Sequence, residues 1–514
     1  MITIHKRKVK QVLLWFFSIL LISMTACRKG TFDINSPNPN SLSPGSVGPK
    51  YYLSSSLAGT ATLMYGGNVG VFTGSDILNT WMGYWAASGG YTPSPVIVTY
   101  QLTSTTGTAN WDNAYLNLKN YKVIETLSAS DPTLGNYNGM SKIMQAFVFQ
   151  RLVDLYNDVP YTEAFGNTNT TPAYDKGSDI YKNLLVKIDS SINIIKAAQA
   201  NTNTENAGEY DVMFGGDMDM WIKFANTLKL KILMRLTQTA DGPALAASEL
   251  AGLTEADFLG AGEDAGVNPG YSTSSNSQEN PYYLNVAKTV TGSAGTNANY
   301  WRANVYAVNF YKSNNDPRAA YFYSPAKSGD IIGRKLGSTA GNEGNDNISS
   351  VAGPGNAKGP DQKAIIIGAF ESFFLQAEAV QRGFIAGDAN ALYQSAVEQS
   401  FNLLGVTDAI AAADAYIAQP NNINVNYAAS PDKLRTLITQ KWASCNSYDP
   451  LESYSDWRRL KIPTDLPVSD YPGSQATHIP YRLLYPDSES SYNSAVTAKE
   501  GAIDILNSKI FWMP

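Results

Sequence analysis

Two stretches of this chain concentrate side chains that could hold a polar ligand. Trp81-Met82-Gly83-Tyr84-Trp85-Ala86-Ala87-Ser88-Gly89-Gly90-Tyr91 sets tryptophans and tyrosines among glycines, and Asn297-Ala298-Asn299-Tyr300-Trp301-Arg302 closes a loop that carries Gly and Asn. If the ligand is a glycan, its apolar C–H faces stack on aromatic rings, and its hydroxyls need amide, carboxylate or guanidinium partners. Trp81, Tyr84, Trp85, Tyr91, Tyr300 and Trp301 are therefore the candidate binding residues, with Tyr282 and Tyr283 as a third cluster. Glycines in the first stretch allow rings to stand out from the backbone. The competing reading makes Trp81 and Trp85, four apart, core residues of a helix, because tryptophan is usually largely buried. Tyr300 and Trp301 are the better candidates for exposure because of their loop setting.

Catalysis and metal binding find less support. His478, beside Ile479-Pro480, is the one histidine after the first 26 residues, and a lone histidine there reads as structural rather than as a base. Zinc-protease, nucleophile-elbow and phosphate-loop motifs are missing. A glycosidase needs only two carboxylates at the right separation, so a surface glycoside hydrolase stays open as an alternative among 44 acids. Asp217-Met218-Asp219 and Asn345-Asp346-Asn347 offer oxygen ligands, but not at the full spacing of a calcium loop. Helix caps or turns are expected there, and no cofactor or metal is expected.

The elements that must position these residues are mainly helices. Trp111, Tyr115, Leu118, Tyr121 and Leu127 form one apolar stripe, and Ile143, Met144, Phe147, Leu152 and Leu155 form another within 140–156. Ile180, Leu184, Leu185, Ile188 and Ile192 mark a third helix. A fourth, over 221–236, is apolar nearly all round and should be central. Lys229, Lys231 and Arg235 interrupt it and will need acidic partners if buried. Between about Leu253 and Lys363 helical periodicity fades into Gly-, Asn- and Ser-rich runs, the loop-rich region of the chain. Helices resume near Ala364 and continue to about Ser447, and the end from Ser455 reads as irregular. Within this part, Glu371 to Phe401 fits the helix–turn–helix register of a tetratricopeptide repeat. Phe373 and Ala377 fall on its first helix, and Ala389, Tyr393 and Ala396 on its second.

The N-terminus reads as an export signal. Lys6, Arg7, Lys8 and Lys10 precede an apolar run from Val12 to Ile22, which is too short to span a bilayer. Ser23-Met24-Thr25-Ala26 then places small residues before Cys27, as a lipoprotein peptidase requires, with Met24 where leucine is usual. Residues 1–26 are expected to be a signal peptide, Cys27 the lipidated residue, and 27–50 a Ser-, Pro-, Asn- and Gly-rich tether. A single helical domain over 51–514 follows. Ordinary secretion with Cys27 as a bystander is the alternative. Cys445, the other cysteine, is expected to pack as a small apolar residue. The formal charge of −6 falls to −10 without the four signal cations. That balance disfavours nucleic acid as a partner. A low charged fraction of 16% with 31 tyrosines suits a surface that reads neutral polar ligands.

Several stretches together resemble the SusD/RagB family of nutrient-binding outer-membrane lipoproteins. Asp154-Leu155-Tyr156-Asn157-Asp158-Val159-Pro160-Tyr161 is similar to the family signature at the end of an early helix, with Asn157 where glycine is common. The stretches from Trp221 to Leu230 and from Phe370 to Ala379, with Arg382-Gly383, resemble its central and repeat helices. Gln440-Lys441-Trp442 with Glu452, Trp457, Arg458 and Arg459, then Arg482-Leu483-Leu484-Tyr485-Pro486 and Glu489, resemble its later motifs. The resemblance implies a mainly α SusD-like fold with tetratricopeptide-like hairpins and a loop-rich ligand-binding face. It implies a non-enzymatic lipoprotein on the exterior of the outer membrane that hands oligosaccharide, or in some branches peptide, to a SusC-like TonB-dependent transporter. Asp154, Asp158, Arg458 and Arg459 would then be structural.

Overall fold

Residues 47–514 are described in the computed structural model, apart from 68–73, 93, 167–169, 340–344 and 475. The expected signal peptide, Cys27 and nearly all of the tether lie outside the described residues. Pro49 and Lys50, assigned above to the tether, open the first helix, α1 (Pro49–Tyr65), which buries Leu53, Leu57, Ala61 and Met64 at helical spacing. A shorter helix α2 (Gly74–Trp81) and strand β1 (Trp85–Ala87) follow. The apolar stripes become α3 (Thr108–Ser128), α4 (Gly135–Tyr156) and α5 (Gly177–Gln199). The central helix is α6 (Met218–Leu236), which Asp217 caps by accepting from the Asp219 and Met220 amides. Asp217 therefore acts as a helix cap.

The region 253–363 is less irregular than its composition suggests. It holds strand β2 (Ala265–Val267), strand β3 (Trp301–Ala303) and helix α7 (Val305–Ser313). Helices do not resume at Ala364: Ala364–Ile367 form strand β4, a buried β-branched run that pairs antiparallel with β2. Next come α8 (Ala369–Gln381) and α9 (Ala389–Leu404), the expected repeat hairpin, turned at Gly383 with φ +76°. Phe374 meets Tyr393 edge to face at 6.2 Å between the two helices, and Ala377 and Ala396 are fully buried. Ala389, at the hairpin rim, is only partly buried. α10 (Ala409–Ile417) and α11 (Lys433–Cys445) continue the helical frame. Cys445 packs inside as expected. The final major helix, α12 (Pro450–Leu460), runs through Ser455 where irregular chain was expected. Its charged residues hid it, because Glu452, Asp456, Arg458 and Arg459 are all buried.

Burying those charges requires partners, and the frame supplies them. Lys231 of α6 places its ammonium 2.7, 2.8 and 3.1 Å from carboxylates of Glu371, Asp449 and Glu452. These three acids converge as they would on a metal ion, and the Lys231 ammonium stands among them. Arg235 joins Glu452 at 2.5 Å and Asp154 at 3.2 Å. Lys441 joins Glu452 and, at 3.0 Å, Asp456. Arg459 forks onto both Glu378 oxygens. Lys229, nearer the surface, pairs with Asp189 and Glu249. The expectation that Lys229, Lys231 and Arg235 need acidic partners is thus met residue by residue.

Candidate ligand-binding site

Antiparallel pairing of β1 with β3 brings the two aromatic stretches of the sequence side by side. Trp85 faces Ala303 and Ala87 faces Trp301 across the ladder, and the Trp85 and Trp301 rings lie 5.8 Å apart. The consequence corrects the expectation for four of the six candidates. Trp81, Tyr84, Trp85 and Trp301 are at most 1% exposed. Trp81 packs on Tyr100 and Tyr454. The Tyr84 hydroxyl donates to the Trp442 carbonyl at 2.6 Å, and Trp85 Nε1 donates to Ser447 Oγ. Gly83 does not free a ring. Its φ of +73° lets the chain turn closely under Tyr306, whose ring carbon would lie 2.7 Å from a Cβ there. These rings build the floor of the loop-rich face and present no surface to a ligand in this conformation.

Two of the six remain accessible. Tyr91 is 46% exposed, and its ring meets that of the half-buried Tyr300 edge to face at 5.5 Å. The Tyr300 hydroxyl accepts from the Ser94 amide, and its carbonyl accepts from the Ser88 amide. Arg302 fixes the loop beneath by donating to the Ala298, Trp301 and Asn345 carbonyls. Tyr282 of the third cluster is buried, with its hydroxyl on the Val351 carbonyl, while Tyr283 is partly open.

The same loop-rich region holds a cavity of about 460 Å³, within the usual size of a small-molecule pocket. The C-terminal end of α1, the loop through Tyr271 and Glu279, and the segment from Pro281 to Thr296 enclose it. Thr296, which lines it, lies four residues before Tyr300 in the chain. Glu279 is only 4% exposed, yet its carboxylate has no hydrogen-bond partner among the described residues. Burial pushes its pKa upward. The Tyr271 hydroxyl is likewise buried without a partner. Asn285, by contrast, is held on both sides: its Oδ1 accepts from Asn297 and its amide nitrogen donates to Asp76. Gly67 can approach only because it lacks a side chain; a Cβ there would overlap Asn285 Oδ1. Chemically, the cavity offers an open acceptor and an open hydroxyl.

The sequence of the family described as "Starch-binding associating with outer membrane", the SusD-like family, matches residues 52–486. The chain belongs to this family. Its fold is that of solved relatives. A chitin-binding SusD homolog from Flavobacterium johnsoniae shares 22% identity with a TM-score of 0.72, covering 90% of this chain and 98% of that one. A SusD-like protein from Bacteroides thetaiotaomicron also shares 22% identity, with a TM-score of 0.71 and the same coverage. A SusD homolog from Bacteroides vulgatus reaches 0.73 at 18% identity, covering 90% and 97%. No curated protein matches the sequence.

The SusD-like motifs are structural here, as the resemblance implied. Asp154 gathers Arg235, Tyr181 and Trp512, and Asp158 accepts from Lys176 and the Gly177 amide. Arg458 donates to the carbonyls of Asp154 and Tyr481. His478 stacks on Tyr481 at 4.5 Å, with its Nδ1 against the Ile479 carbonyl. Tyr271 and Glu279 escaped the sequence reading because nothing local distinguishes them. Only the fold brings their loop against α1 and Asn285.

Proposed function

We propose that this protein is a non-enzymatic glycan-binding lipoprotein that delivers its ligand to a SusC-like TonB-dependent transporter. Residues 1–26 are its signal peptide, Cys27 carries the lipid in the outer membrane, and the body from Pro49 faces the cell exterior. No helix among the described residues is long and apolar enough to cross a membrane. Multiple acylation would make the Cys27 anchor stable, and a tether keeps the body near its transporter at high effective concentration.

The observation that carries the saccharide reading is the cavity lined by Tyr271 and Glu279, with the accessible Tyr91–Tyr300 pair on the same loop-rich region. Its unengaged Glu279 carboxylate and Tyr271 hydroxyl suit sugar hydroxyls, and the ring pair offers faces for C–H stacking. A family described as starch-binding and a chitin-binding relative support the same ligand class. Calorimetric titration of the mature protein with maltohexaose and chitohexaose tests it. Tyr300→Ala should weaken binding about ten-fold, the loss of roughly one stacking contact, and should leave the fold intact. Trp301→Ala, in contrast, should cost about 3–5 kcal/mol of stability. Silence toward both sugars would overturn the reading, and heat from a peptide pool in their place would reassign the ligand to peptide.

A further inference from the structure

β3 leads into α7, and the face of α7 looks onto a second cleft of about 300 Å³. The opposite wall comes from α11 and the turn through Pro463 to Asp465. None of its lining residues is shared with the first cavity. Tyr306 and Phe310, one helical turn apart, both pack edge to face on the buried Trp442, with centroids 5.5 and 5.0 Å away. Trp442 thus fixes both rings, and the Tyr306 hydroxyl donates to Asp465 Oδ1 at 2.8 Å. A rigid aromatic pair results, joined to a carboxylate with one oxygen still open.

Three planar polar groups converge on the same cleft. The side-chain amides of Asn309 and Asn424 and the guanidinium of Arg435 make no hydrogen bond or ion pair among the described residues. Each alone would be ordinary solvated surface. Gathered around a ring pair they form the donor, acceptor and stacking set that a pyranose requires. The placement of Arg435 and Asp465 in one cleft without a salt bridge leaves both charges open to ligand hydroxyls.

We infer that this cleft is a second saccharide subsite, which seats a sugar ring against Tyr306 and Phe310 and holds its hydroxyls with Asn309, Asn424, Arg435 and Asp465. The inference rests on the glycan reading of the protein. Two subsites on one body would let a single chain engage a polysaccharide at two points and raise its avidity.

The test is calorimetric stoichiometry with maltotriose and chitotriose, using the mature protein and the double variant Asn309→Ala/Arg435→Ala. Both residues are exposed, so the variant should melt with the parent. The expected result is two sugars per chain for the parent and one for the double variant, with Tyr300→Ala weakening only the site that remains. One sugar per chain that the double variant still binds would overturn the second subsite and leave the first reading standing. One sugar that the double variant loses would confirm this cleft and displace the Tyr271–Glu279 cavity. No binding of either sugar would overturn both.

Discussion

Carboxylates are buried in two regions of this molecule, under opposite conditions. Where α6, α11 and α12 meet, Glu452 touches the cations of Lys231, Arg235 and Lys441. On the loop-rich face, Glu279 is 4% exposed and its Oε2 has no hydrogen-bond partner among the described residues. Withdrawing a carboxylate from water costs several kcal/mol unless a cation or donors compensate. The helical frame meets that cost internally, so its polar groups serve the fold. The loop face leaves the cost unmet, and such sites persist where a ligand uses the open group. The contrast separates polar residues that hold the structure from those available to something else.

Removing the hub of the frame should have the largest effect. Glu452→Ala leaves three buried cations short of an acceptor, and urea unfolding should show a loss of about 3–5 kcal/mol. A loss below about 1 kcal/mol would mean that the remaining acids suffice, and the frame would no longer differ from the rim.

Acid titration of stability reads the same network. Burial would raise the Glu378 pKa, but Arg459 and Arg382 outweigh it and hold the group down to about 2 from its ordinary 4.5. Its contribution is therefore present above about 4.5 and lost as pH falls toward 2. Glu371 behaves oppositely: burial first, then Glu452 and Asp449, push it up to about 7. The folded state holds that proton between 4.5 and 7, so acidification across this window stabilises through Glu371. Thermal melts should stay level or rise from pH 7 to about 4.5 and then fall steeply, and the fall should be shallower in Glu378→Gln.

The smallest effect has the opposite sign. Glu279→Gln removes a buried unpaired charge and should raise stability by roughly 1 kcal/mol at pH 7, while weakening saccharide binding. Destabilisation in a melt would show that Glu279 serves the fold, and the two regions would no longer contrast.

Much of the frame was legible in sequence because helix faces repeat on a short period. The stripes of α3, α4 and α5 and the repeat hairpin from Glu371 to Phe401 sit where spacing placed them. The need of Lys231 for acids was equally legible, but their identity was not, since Glu371 and Asp449 lie 140 and 218 residues away. The site was read less well. Trp81, Tyr84, Trp85 and Trp301 have the right chemistry for sugar, yet composition cannot tell a ring that stacks on ligand from one that stacks on Trp442 or Tyr454.

The sequence by itself determined that α3 to α6 and the repeat hairpin are helical, that charged residues on α6 require partners, and the family to which the chain belongs. These follow from local periodicity, from the cost of an unpaired buried charge, and from motifs kept in order along the chain. Only the tertiary structure decided which aromatic rings remain open, that Glu279 Oε2 lacks a partner among the described residues, and that α7 and α11 face one another across a cleft. Each depends on segments far apart in the chain meeting in space, and exposure is a property of that meeting rather than of residue type.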